Sequence, residues 1–140
     1  MGDGLRVIGP GDRVPDVASG AMVREAAVSR VTDGAEKLWV GYVELPAGAV
    51  SAVHHHGEAE SVIYVIAGRA RFLWGEGLEV AQDAGAGDFV WVPPHVVHVE
   101  MNVSADEPVR MVVARSTQDT LVFNVDGPPG WSPPGSPSPS

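Results

Sequence analysis

The sequence predicts an all-β fold, a sandwich or barrel of short antiparallel strands. Three observations carry that expectation. Apolar segments of four to eight residues are rich in Val, Ile, Tyr, Phe and Trp. Each is closed by Gly, Pro, Asn or Asp. They recur at the short spacing of β-sandwiches and barrels.

Taken in order, residues 1–20 carry Gly9, Pro10, Gly11 and Pro15 and read as an irregular arm. Ala21 to Arg30 is the one segment with helical character, but Val23, Val28 and the following Val31 favour a strand. Lys37 to Leu45 (KLWVGYVEL) is a strand stopped by Pro46. Ser61 to Ala67 (SVIYVIA) is β-branched and aromatic and stops at Gly68; Arg69 to Trp74 follows and meets Gly75. Asp88 to Val92 ends at Pro93 and Pro94. Val96 to Val103, Val109 to Arg115 and Thr120 to Val125 complete the set. A single domain over residues 21–126 is expected. Residues 127–140 are almost entirely Gly, Pro and Ser, too poor in apolar surface to offset ordering entropy, and predict a disordered tail in which only Trp131 has the means to dock.

Composition narrows the function. The chain has 140 residues, with 18 Asp and Glu against 9 Lys and Arg. An acidic balance opposes nucleic-acid and anionic-membrane partners, both of which need a basic surface. No cysteine is present, which removes disulfides, thiolate ligands and cysteine nucleophiles. The start lacks a basic region followed by an apolar one, and no apolar run nears the roughly 20 residues of a membrane span. The expectation is a soluble cytoplasmic protein.

The five histidines are the chemical signal. They fall in two groups, His54-His55-His56 and His95 with His98. On a strand, residues i and i+2 share a face, so His54 and His56 can converge on one ion while His55 points away. His98 arrives from beyond the Pro93-Pro94 corner. Glu60 follows Gly57, whose backbone freedom permits a sharp turn onto the same ion. Glu58 is its rival by plain alternation. Three imidazoles and one carboxylate make a mononuclear site for a divalent first-row metal, with positions left open.

The spacing of these residues resembles the cupin superfamily. The first cupin motif, G(x)5HxH(x)3–4E(x)6G, is matched by Gly48, His54, His56 and Glu60, with Gly68 one residue late. A count back from Gly68 places Ser61 where the carboxylate belongs. The second motif, G(x)5PxG(x)2H(x)3N, is matched by Gly87, Pro93, His98 and Asn102, with His95 in place of its second Gly. The chain is similar to small, single-domain, RmlC-like bacterial members. The resemblance implies a double-stranded β-helix (a jelly-roll β-barrel), a homodimer, and one transition metal per chain inside the barrel: Fe(II) first, then Mn, Zn or Ni. Val62 to Ile66, apolar on both faces, independently suggests a covered sheet and hence a dimer.

Two further residues are candidates for chemistry. Tyr64 shares parity with Glu60 and is expected to face the cavity. His95 stands near the barrel mouth, where a group titrating near neutral pH suits general acid or base work; a solvated loop histidine is the simpler alternative. Arg69 and Arg71 read as facing solvent or a partner chain, and Asn102 as a strand-end residue. The expected function is a metal-dependent enzyme, oxygenase chemistry first. Its substrate is a small organic molecule that meets the metal through oxygen. The alternatives are a metal-dependent isomerase, cyclase or decarboxylase, and a non-catalytic sensor.

Overall fold

A computed structural model describes residues 4–16, 20–119 and 122–133. Eleven strands run in chain order among them: β1 (Val14–Pro15), β2 (Val23–Val28), β3 (Trp39–Leu45), β4 (His54–His55), β5 (Ser61–Ala67), β6 (Arg69–Trp74), β7 (Val80–Gly85), β8 (Phe89–Val92), β9 (His98–Asn102), β10 (Val109–Arg115) and β11 (Phe123–Asn124). They form two antiparallel sheets, ordered β1-β2-β3-β10-β5-β8 and β11-β4-β9-β6-β7. The chain passes from one sheet to the other at Gly68, between β5 and β6. There φ is +84° and an added Cβ would stand 2.6 Å from the Pro108 carbonyl oxygen, so only glycine fits.

The core follows from period-2 patterning. Trp39, Val43 and Leu45 of β3, Ile63 and Val65 of β5, and Val109, Met111 and Val113 of β10 alternate inward and meet Phe72 and Ala70 of β6. Each fully buried aliphatic side chain contributes about 1.5–3 kcal/mol of hydrophobic stabilisation. A smaller cluster covers the other face of the second sheet, where Val53, Leu73, Leu78, Val99 and Met101 pack with Trp131. That contact explains why every residue of β9 is buried. It also means that Trp131 docks, within a tail whose composition predicts disorder from residue 127. Tail residues 134–140 lie outside the described residues.

Differences from the sequence expectation are local. Val80–Gly85 (VAQDAG) is small and polar, carries no strand signal, and pairs along β6 as an edge strand. The segment expected from Thr120 is strand only at Phe123–Asn124, and residues 120–121 lie outside those described. Asn102 serves structure: its amide donates to the carbonyls of Leu45 (3.0 Å) and Glu107 (2.7 Å), and its Oδ1 accepts from the Ser104 N–H (2.8 Å). Arg71 faces outward in a two-point ion pair with Asp83, its Nε 2.7 Å from Oδ1. That pair holds the Asp83 carboxyl below the usual carboxylate range.

Candidate metal centre

His54 and His98 are direct cross-strand partners, the single paired position between β4 and β9. That register sets their rings 4.3 Å apart, centroid to centroid. His56 lies one residue past the end of β4 and returns to the same face; its ring is 5.0 Å from His54 and 5.4 Å from His98. One ligand nitrogen from each lies within 4.8 Å of the other two. All three side chains are buried, His54 completely.

Backbone hydrogen bonds orient two of these rings. Nδ1 of His54 is 2.8 Å from the Ala52 carbonyl, and Nδ1 of His98 is 3.0 Å from the Val96 carbonyl. A carbonyl accepts only from N–H, so the proton sits on Nδ1 and Nε2 carries the lone pair. This is the arrangement by which metal-binding imidazoles are held in one tautomer. Nε2 of His98 is buried with no hydrogen-bond partner. Burial holds His54 below the ordinary imidazole value, opposed by Glu100 and reinforced by His98. Neutral imidazole is the form that binds metal, so the donor set fits a divalent transition ion.

The parity of β5 corrects two sequence expectations together. Ser61, Ile63 and Val65 point inward, so residues of even number around them point out. Glu60 is accordingly exposed and outside the histidine cluster; its backbone N–H donates to Ser116 Oγ (3.0 Å), and its carbonyl accepts from the Ser116 N–H (3.0 Å). Tyr64, counted from Glu60, lies on the outer face with its ring 4.7 Å from that of Phe89. The rival Glu58 is exposed as well. Ser61, where the late Gly68 places the motif carboxylate, is the residue that faces in.

His95 is exposed at the β8–β9 corner in the left-handed region, φ +65°, where the motif carries glycine. Its ring neighbours that of His55 (6.4 Å), which in turn stacks on Phe123 (5.1 Å). Both histidines stand apart from the buried three. Three buried charged residues escaped the sequence reading: Glu100, Arg24 and Arg115, the last lying over the Trp39 ring. Glu100 sits two residues past His98 on β9, its Oε1 3.9 Å from His98 Nε2. Arg24 of β2 is buried in the barrel; burial pulls its guanidinium below the ordinary value, and Glu100 opposes the shift. The HVEMN alternation, with Glu100 in phase with His98, was the available signal for the first.

A cavity of about 530 Å³ leads to this cluster. Phe72, Trp74, Val92 and Val96 line it on one part, Gln82, Asp83 and Asp88 on another, and His98 belongs to its wall. Its size and mixed, mainly apolar wall suit a small organic ligand.

The model of the cupin family matches residues 19–128. Among solved structures, the chain is similar to the polyketide cyclase RemF from Streptomyces resistomycificus, with a TM-score of 0.72 at 17% identity over 87% of this chain and 86% of that one. It is similar to an uncharacterized conserved protein with a double-stranded β-helix domain from Klebsiella pneumoniae: TM-score 0.68, 21% identity, 88% of this chain and 99% of that one. Oxalate decarboxylase from Bacillus subtilis superposes at TM-score 0.66 and 20% identity over 82% of this chain and 30% of its own. Identities this low show a shared fold. No curated protein matches this sequence.

Proposed function

The chain belongs to the cupin family, and from that premise we propose that it is a mononuclear metal-dependent enzyme acting on a small, largely apolar organic molecule. The observation that carries the reading is the convergence of His54, His56 and His98, all buried, with Nδ1 of His54 and of His98 each held by a backbone carbonyl. A divalent ion held there supplies either dioxygen activation, as ferrous iron, or polarisation of a substrate oxygen. The protein's own part is selection and exclusion. Phe72, Trp74 and Val92 offer an apolar wall for the body of the substrate beside His98.

Oxygenase chemistry on iron is the first reading. Lewis-acid cyclisation is the second, favoured by one observation: the polyketide cyclase superposes over nearly the whole of both chains. Metal analysis of protein purified without a chelating column, then anaerobic iron loading and oxygen uptake with a panel of small aromatic acids and enols, separates them. Oxygen uptake that requires iron and substrate supports the first. Substrate turnover without oxygen uptake, equally good with zinc, supports the second. A protein that takes up no divalent ion overturns both.

The active unit is a homodimer in this proposal. Val62, Ile66, Phe89 and Trp91 form an exposed apolar stripe across β5 and the edge strand β8. A second copy laid on that stripe would cover it.

A further inference from the structure

The tri-histidine cluster lacks the carboxylate that the first motif ordinarily places beside it, because the parity of β5 turns Glu60 outward and brings in Ser61. Among the described residues, Glu100 is the one buried carboxylate. β9 places Glu100 on the face of His98, and the backbone there is pinned: the Ser51 N–H donates to the Glu100 carbonyl (2.8 Å), and the Glu100 N–H donates to Ser51 Oγ (2.9 Å). Ser51 lies three residues before His54, so this clamp joins the strand carrying Glu100 to the segment carrying the first histidine pair.

The Glu100 side chain is 3% exposed. Its Oε2 is buried without a hydrogen-bond partner, and among the described residues no arginine or lysine pairs with it. A buried carboxylate with no direct hydrogen-bonded or ion-paired partner costs several kcal/mol. Distance decides what could compensate it. Donors about 2.0–2.2 Å from one ion lie at most about 4.4 Å apart. Oε1 of Glu100 is 3.9 Å from Nε2 of His98, within that limit; the ligand atoms that already lie within 4.8 Å of one another are those of the three histidines, so Glu100 stands beside the cluster and would turn its side chain to reach a shared ion. We infer that Glu100 is the carboxylate ligand of this metal centre, supplied by β9 in place of the first-motif glutamate. The inference rests on the metal-centre reading above. It makes the donor set three imidazoles and one carboxylate, the set expected from the sequence, but with a different glutamate. An ion of charge +2 then keeps a net charge near +1, which favours an anionic substrate oxygen.

Arg24 gives the competing account, in which Glu100 is only its distant counter-charge. Four metal-free proteins separate the two: the wild type, Glu100→Gln, Glu60→Gln and Arg24→Met, each titrated with zinc and with cobalt(II) against a chelating dye. The wild type and Glu60→Gln should bind one ion with equal affinity. Glu100→Gln should bind at least ~100-fold more weakly, beyond the 10–100-fold typical of residues that only support a ligand. Its cobalt absorption should also differ in shape from that of the wild type. Arg24→Met should keep the wild-type cobalt spectrum. Glu100→Gln with wild-type affinity and spectrum overturns the proposal and leaves the histidine site standing; a wild type that binds no ion overturns both. Should Glu100→Gln fail to fold, the infrared difference between metal-loaded and metal-free Glu60→Gln replaces it. A carboxylate stretch displaced by metal supports Glu100, and its absence overturns the assignment.

Discussion

His54 is a proton-sensitive residue as well as a candidate ligand. Burial, the largest influence on it, disfavours the imidazolium and keeps its folded pKa below the ordinary 6.5. The unfolded chain therefore takes up the proton first. As pH falls through about 6.5, the unfolded state gains, and stability is lost until the folded value is reached, below which the loss levels off. The metal-free protein should show a urea midpoint that drops between pH 8 and pH 5. His54→Gln should show a shallower drop over the same window. An unchanged slope in the variant would assign the sensitivity to another group. Bound metal should steepen the wild-type dependence, since protons and the ion compete for the same Nε2 lone pairs.

At the scale of elements, the β8–β9 corner stores strain. His95 occupies the left-handed region at φ +65°, and its N–H donates to the Gly57 carbonyl at 2.7 Å, which ties the corner to the turn after His56. A left-handed conformation costs a non-glycine residue about 1–2 kcal/mol, and glycine in turn costs about 0.5–1 kcal/mol in unfolded-chain entropy. His95→Gly should thus stabilise the protein by up to about 1 kcal/mol in urea denaturation. Metal affinity should be unchanged, because the side chain lies outside the histidine cluster. A destabilised variant would mean that the imidazole makes a contact worth more than the strain.

At the scale of the molecule, the two sheets differ in how their outer faces are covered. Val99, Met101 and Leu73 of the second sheet lie under Trp131 from the C-terminal segment. The first sheet leaves Trp91 and Phe89 more than half exposed, with Ile66 and Val62 beside them. Light scattering at micromolar concentration should give twice the 14.6 kDa chain mass. Trp91→Lys should shift that mass to the monomer with the metal centre intact. A monomeric wild type would leave the stripe uncovered by a second copy.

Much of this was legible in the chain itself. Alternation in KLWVGYVEL and SVIYVIA, closed by Pro46 and Gly68, identifies β3 and β5, and the spacing of His54, His56 and His98 identifies the three residues that meet. Those features are local, or depend only on the period-2 geometry of a strand. Which carboxylate faces the histidines is a different kind of question. Shifting strand phase by one residue moves every side chain to the other face. The phase of β5 is set by its pairing with β10, where Ser61 opposes Arg115 and Ser116 grips the backbone of Glu60. Those partners lie more than fifty residues away along the chain. No count within the first motif contains that pairing, so Glu60 and Tyr64 point outward, and Glu100, in phase with His98 on a strand of its own, points in.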